Sequence, residues 1–392
     1  MNFTWTDEEQ MILTTVRDFM EKEVRPIARE LDAEKRVPIE QIRALQAQGL
    51  FGLMIPEEYG GAEMSTSLYA AVIEEMSKVC AALAIVLSVH NSVGAYPILL
   101  FGTDVQKKKY LTRLASDWIG AFCLTETGSG SDAARLRTTA KLEKGDGVAG
   151  VGADDVYVLD GAKMFVSSGT IADLYLVLAR TAETPDAPYK GVTAFLVESG
   201  TPGLRVSKTE DKMGLRASDT AEIVLEGCRV PAAQRLGAEG EGFKVAMSAL
   251  DNGRIGVAAQ ALGIAEGACD EAVKYAKTRQ QFGQPIAEFQ AIQFHIADMS
   301  TQIEAARALI RRAAWMKDAN LPLTKEAAMA KLFASEMATK VCHTALQIHG
   351  GYGYIKEYPV ERYYRDARIT EIYEGTSEMQ RLVIARQLLG TK

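Results

Sequence analysis

The runs LYLVLAR at 174–180 and GVTAFLVES at 191–199 decide the reading of the fold. Both are short, rich in Val, Leu, Thr and Tyr, and bounded by turn residues such as Gly, Asp and Pro, which is the pattern of β-strands. Outward from this pair, ARLRTTAKLE (134–143), DVYVLDG (155–161) and AEIVLEGC (221–228) have the same texture. An antiparallel β region is therefore expected from about Ala121 to Pro231.

On either side the period changes to that of helices. Thr6 and Glu9 have capping-box spacing, and Ile12, Val16, Phe19 and Met20 then fall on one face. Further helices are expected near 38–50, 66–89 and 104–114. After Gly242 prolines become sparse, and two apolar stripes appear: Leu262, Ala265, Cys269, Ala272 and Ala276, then Ile303, Ala306, Leu309, Ile310 and Ala313. Helices, then strands, then helices is not the alternation of a doubly wound fold. The expectation is a mostly α, α+β chain with a helical domain over 1–120, a β-domain over 121–235 and a helical domain over 236–392. No internal repeat or low-complexity tract interrupts it.

The bulk properties narrow the function. At 392 residues and 47% apolar content the chain can bury a large core, and a formal charge of -7 argues mildly against nucleic acid as the main partner. The basic run Lys107–Lys109 is short and reads as a solvated helix face. ALAIVLSV (82–89) is less than half the ~18–20 residues of a membrane span, and the acidic start MNFTWTDEEQ lacks the order of an export signal. Five scattered cysteines without a C-x-x-C pair suggest reduced thiols, hence a reducing compartment such as the cytoplasm, or the mitochondrial matrix for a mature eukaryotic chain. Phosphate-loop, dinucleotide, nucleophile-elbow and zinc-protease signatures are absent, and the four histidines never pair at a metal spacing. No metal site is expected.

Four stretches remain. In LTETGSGSD (124–132) two glycines allow close backbone approach and Thr125, Ser129 and Ser131 add hydroxyls, suiting a heteroaromatic ring or a phosphate, although a tight turn would use the same residues. In YAKTRQQFG (275–283) Arg279 could neutralise a pyrophosphate or serve as an ordinary helix-end cation. LQIHGGYGY (346–354) offers paired glycines that fit a ligand or a helix stop equally. In EIYEGTSEMQ (371–380) Glu374 sits between Tyr373 and Gly375. Desolvation there would raise its pKa by as much as ~3–5 units, suiting it to remove a weakly acidic C–H beside a carbonyl; alternatively it caps the helix of SEMQRLVIARQLL.

Together, in this order, the four stretches resemble the acyl-CoA dehydrogenase family from about residue 5 to the C-terminus. LTETGSGSD is similar to its L-T-E-P-G-[AS]-G-S-D signature, and QIHGGYGY with RDARITEIYEGTSEMQR to its C-terminal one. LDNGRIGVAAQALGIAEGA (250–268) is most similar to short-chain, butyryl-CoA-type members. The resemblance implies a helical domain, a β-domain and a C-terminal four-helix bundle, FAD between the last two, and a homotetramer. It also implies oxidation of an acyl-CoA to the trans-2-enoyl-CoA, with electrons passed to an electron-transfer flavoprotein.

On this chain it implies Glu374 as the base for the pro-R α-proton while the β-hydride passes to flavin N5, the thioester oxygen being held by the Glu374 N–H and a ribityl hydroxyl. Phe122, Leu124, Thr125, Gly130 and Ser131 would line the flavin, with Phe165 and Ser167 beside the ring. Arg279 and Gln290, with Gln347, Gly350 and Gly351 of a neighbouring subunit, would hold the adenine and pyrophosphate. Thr376, Ser377 and Glu378 would touch the flavin after the base; Ser131, Asp251, Arg254, Tyr373 and Gly375 would touch acyl-CoA. Departures from the family pattern are Thr127 for the usual proline, expected to loosen the loop, Phe165 where many members have tryptophan, and a longer hairpin at 144–157. Gly253 stands where isovaleryl- and long-chain-type members carry their base. An oxygen-using oxidase of the same fold and a silent acyl-CoA or flavin binder are the alternative readings.

Overall fold

The structure, a computed structural model, describes residues 4–145 and 155–391; most of the 144–157 hairpin therefore lies outside the described residues. The N-terminal part is helical, beginning with Asp7–Phe19, whose capping box pairs Thr6 with Glu9 as expected. Eight strands follow: β1 Gly120–Cys123, β2 Thr139–Glu143, β3 Val156–Ser167, β4 Leu174–Arg180, β5 Val192–Glu198, β6 Leu204–Thr209, β7 Thr220–Pro231 and β8 Arg235–Leu236. Helices Gly242–Thr278, Gln290–Asp318, Thr324–His349, Val360–Ile369 and Ser377–Leu389 complete the chain.

The strands form one sheet in the order β6-β7-β3-β2-β4-β5-β8, with β1 added beside β4. It is antiparallel except where β1 and a single residue of β2 run parallel to β4. Strands β4 and β5 are apolar on both faces because both faces are covered. Leu174, Leu176, Leu178, Ala194 and Leu196 pack with Val245 and Ala246 of the long helix, while Tyr175, Val177, Phe195 and Val197 fill the opposite side. The expected strand at 134–143 shortens to β2. Residues Arg137 and Thr138 give their N–H groups to the Glu126 carboxylate at 2.6 and 2.9 Å, which draws this backbone out of the sheet.

The helical core joins the first and last thirds. Leu262, Ala265, Ala272 and Ala276 are all buried against helices from both parts. At Gly263 a Cβ would lie 2.2 Å from the Glu74 carbonyl oxygen, so this crossing of Thr66–Val89 requires glycine. Helix Thr66–Val89 is broken at Cys80 (φ -148, ψ 92). Such a break leaves carbonyls without helical partners, which in a dry core costs about 1–3 kcal/mol each unless they are satisfied. Three side chains of the C-terminal part meet the carbonyls around it: the Tyr363 hydroxyl donates to Lys78, Arg362 Nη2 to Val79 at 2.8 Å, and Gln260 Nε2 to Ala81 at 2.9 Å.

Candidate active site

Glu374 lies between helices Val360–Ile369 and Ser377–Leu389, in a turn with left-handed backbone at two consecutive residues, Glu374 (φ 51) and Gly375 (φ 90). The conformation costs a non-glycine residue about 1–3 kcal/mol, so something must hold it. The Gly375 carbonyl accepts from Lys331 Nζ and from Gln380 Nε2, both at 2.8 Å, and Gln380 Nε2 also reaches the Glu374 carbonyl at 3.2 Å. The helix that follows is capped by Thr376, whose hydroxyl accepts from the Met379 N–H. Glu374 is therefore not the cap.

One oxygen of the half-buried carboxylate is dry. Glu374 Oε2 is buried without a hydrogen-bond partner. It faces Gly253 of the long helix, where a Cβ would stand 1.9 Å from that oxygen. Burial raises the Glu374 pKa to about 7 against the opposing pull of Lys331 and Arg254. On one flank the Tyr373 hydroxyl donates to Gln260 Oε1, the same amide that caps Ala81 at the broken helix. On the other, Arg254 pairs with Asp251 at 2.5 Å, and Asp251 also accepts from Thr324 Oγ1 at 2.8 Å. Of the expected acyl-CoA residues, Tyr373, Gly375, Asp251 and Arg254 thus gather around Glu374, whereas Ser131 is exposed on the β-domain.

The loop after β1 is built around Glu126. Its carboxylate takes, besides the two N–H groups named above, the Thr138 hydroxyl at 2.6 Å and Lys163 Nζ at 2.7 Å, with Lys163 fully buried. Burial pushes the Glu126 carboxyl up, but the Lys163 ammonium and these donors hold it below its usual value. Glu126 and Ser129 exchange backbone hydrogen bonds at 3.1 and 3.0 Å, so the turn at Thr127 is closed and not loosened. The Met164 N–H donates to the Thr125 carbonyl at 2.8 Å, which sets Phe165 beside the loop. Phe165 has φ 57 at an irregularity of β3 and is 62% exposed. Open space lies over Gly128 and Gly130, where an added Cβ would meet nothing within 4 Å. Phe122 and Ser167 are half-buried and Leu124 buried.

Lys163→Met leaves the Glu126 charge buried and unpaired. It is expected to destabilise the protein by about 3–5 kcal/mol and to release any flavin the β-domain holds before the helical part melts. Differential scanning calorimetry followed by flavin fluorescence checks this; simultaneous loss of both signals at the parent temperature would refute it.

A second region is a groove of about 510 Å³ lined by Tyr275, Arg279, Ile286, His349, Gly350, Gly351 and Tyr352. Arg279 ends the long helix as its C-cap and lies over the Tyr352 ring at 5.2 Å. Helix Thr324–His349 stops at Gly350 (φ 59), and neither Gly350 nor Gly351 has an atom within 4 Å of a built Cβ. Helix termination and an open cradle therefore coexist at these glycines. Gln290 and Gln347 are exposed and do not line the groove. Arg279 and Gly350–Gly351 share this groove within one chain, whereas the resemblance divided them between two.

The residues fit a flavin dinucleotide: a cation and bare glycine backbone suit the pyrophosphate, and an exposed aromatic side chain beside an open hydroxyl-bearing loop suits the ring. Thr376 and Ser377 stand next to Glu374 in the chain, the Ser377 hydroxyl buried and unpartnered, while Glu378 is exposed. Sequence reading missed Lys331, Gln260, Gln380 and Lys163. Two of these carried a signal, each being a lone lysine in an otherwise apolar run, AAMAKLFA and AKMFVSS.

No group of three or more potential metal ligands occurs among the described residues, and no helix there is long and apolar enough to cross a membrane. His90 accepts the Gly120 N–H at 3.1 Å and His349 Nδ1 bonds the Ala345 carbonyl at 2.8 Å.

The sequence profiles described as acyl-CoA dehydrogenase N-terminal, middle and C-terminal domains match residues 6–117, 121–228 and 240–389. The chain belongs to the acyl-CoA dehydrogenase family, flavoprotein oxidoreductases that bind FAD. It is 49% identical to the mitochondrial short-chain specific acyl-CoA dehydrogenase of Rattus norvegicus, covering 98% of this chain and 90% of the rat one. Butyryl-CoA dehydrogenase from Megasphaera elsdenii superimposes with a TM-score of 0.95 at 46% identity, covering 99% of this chain and all of that one (100%). A chain from a study of the electron transferring flavoprotein of Acidaminococcus fermentans and flavin-based electron bifurcation gives 0.94 at 48% identity, with coverage of 99% and 100%.

Proposed function

We propose that this protein oxidises a short-chain acyl-CoA thioester to its trans-2-enoyl-CoA, with Glu374 as the base and an electron-transfer flavoprotein as the acceptor of the electrons. The observation that carries this is the buried, unpartnered Glu374 Oε2 seated against Gly253. A carboxylate with a pKa of about 7 keeps enough basicity to abstract an α-proton and is ionised often enough at neutral pH to do so.

On this reading the chain's own residues divide the work as the family resemblance implies. The Glu374 N–H would hold the thioester oxygen where enolate charge develops, which is the most effective place for a fixed donor. Tyr373 and Gly375 would enclose the acyl group, Arg254 and Asp251 would contact the thioester arm, and Ser131 would face the pantetheine. Phe122, Leu124, Thr125, Gly130, Phe165, Ser167, Thr376, Ser377 and Glu378 would orient the flavin, and Arg279, Gly350 and Gly351, flanked by Gln290 and Gln347, its adenine and pyrophosphate end. FAD, when bound, supplies the two-electron acceptor for the β-hydrogen. The short-chain preference is supported by the rat and Megasphaera relatives, the partner by the Acidaminococcus study, and a homotetramer by the family's habit.

Anaerobic mixing of the yellow protein with a panel of acyl-CoAs tests the substrate. Straight short chains are expected to bleach the flavin band fastest; preference for a cyclic or long-chain thioester would overturn the substrate assignment. Peroxide accumulating in air at the rate of substrate oxidation would overturn the acceptor.

A further inference from the structure

We propose that Lys331 is the positioning residue of the base: its ammonium group, bound to the Gly375 carbonyl, fixes the turn at 374–375 and keeps the neighbouring carboxylate in its ionised, proton-accepting form. The inference rests on the reading of Glu374 as base and adds a residue that reading does not use.

Lys331 sits in the apolar face of helix Thr324–His349 with 0% exposure. Its hydrogen-bond acceptor is a backbone carbonyl at 2.8 Å. Burying an ammonium costs several kcal/mol, and one neutral acceptor is poor compensation; a buried cation is tolerated where an anion answers it. The anion here is Glu374, the strongest charge acting to keep Lys331 protonated. Reciprocally, Lys331 is the largest influence opposing the effect of burial on Glu374.

The other charged and titratable groups around the pair do not replace it. Arg254 faces Glu374 from the long helix but is paired with Asp251. Glu371 and Glu378 act on Lys331 from the segments flanking the turn. The phenols of Tyr373 and Tyr69 have pKa values raised by burial, so they stay neutral at physiological pH. Burial brings Lys331 down to about 8, so at neutral pH it still carries its charge. A hydrogen bond alone would be served by a neutral donor, as Gln380 already shows on the same carbonyl.

The test compares Lys331→Met, Lys331→Gln and Lys331→Arg in the oxidised flavoprotein without substrate. The titration of Glu374 is followed by infrared spectroscopy, using the protonated-carboxyl band that Glu374→Gln lacks, and kcat is measured against pH. In the two neutral variants the carboxyl midpoint and the acid limb of kcat are expected to move up together by about one pH unit, lowering the rate at pH 7 about fivefold, with the deficit shrinking toward alkaline pH. Lys331→Arg should titrate close to the parent. Gln gives the same reading if Met does not fold. A parent-like midpoint in the neutral variants, with a rate loss uniform across pH, would overturn the proposal and leave Lys331 a structural prop. Parent-rate turnover by Glu374→Gln would instead remove the base assignment, while the infrared titration would still report whether Lys331 governs the carboxyl.

Discussion

Glu374→Gln is expected to bind flavin and acyl-CoA as the parent does and to lose dehydrogenation by about 10²- to 10⁴-fold. The amide is nearly isosteric, so it fits the space against Gly253 and leaves the backbone contacts of Gly375 in place. What disappears is the proton acceptor. The pH dependence of the parent has a definite sign on the proposed mechanism: a base at Glu374 would work only when deprotonated, so kcat should rise with pH through a midpoint near 7. A carboxylate at its ordinary value would instead place that limb below pH 5. Stopped-flow flavin bleaching of the variant at pH 8, with binding measured by calorimetry, decides the matter. Turnover within tenfold of the parent would mean that another group takes the α-proton.

Gly253→Ala should be nearly as damaging although it adds a single methyl group. The new Cβ would fall 1.9 Å from Oε2 and 2.7 Å from the carboxyl carbon of Glu374, well inside contact distance. The backbone at 374 cannot yield readily, since two donors grip the Gly375 carbonyl, so the carboxylate must swing away. A displacement of about 1 Å from the reacting atom costs on the order of 10²-fold in rate. Because the carboxylate and not the helix moves, the melting temperature should change little. A Gly253→Ala enzyme with the parent kcat would show that the base does not rest against this helix during turnover.

The helix–strand–helix order was legible because strands such as LYLVLAR end at turn residues and the flanking segments carry a clean helical stripe. Around Glu374 the tyrosine and glycine left a buried acid and a helix cap both open, and the family resemblance alone favoured the former. The rest is long-range and left little trace. Nothing in the residues around position 253 shows that its missing side chain makes room for Glu374; only the family resemblance singled the position out. The stretch KVCAALAIV reads as unbroken helix, with neither proline nor glycine at Cys80, and the break exists only in company with Gln260, Arg362 and Tyr363. ARLRTTAKLE has the composition of a strand throughout, yet its first half is claimed by the carboxylate of Glu126. The sequence left Glu374 open as the cap of the last helix; Thr376 takes that place instead.

The interruption at Cys80 also bears on how the enzyme can be cut or fused. Gln260 spans from the Ala81 carbonyl to the hydroxyl of Tyr373, adjacent in sequence to the proposed base, so the amino-terminal third is tied to the turn at Glu374 through one amide. Truncation before residue 90, or splicing in that third from a homologue whose helix runs straight, would strand three donors in a waterless interior and slacken the tyrosine. Such chimaeras should fail as catalysts even where the sheet and bundle still assemble.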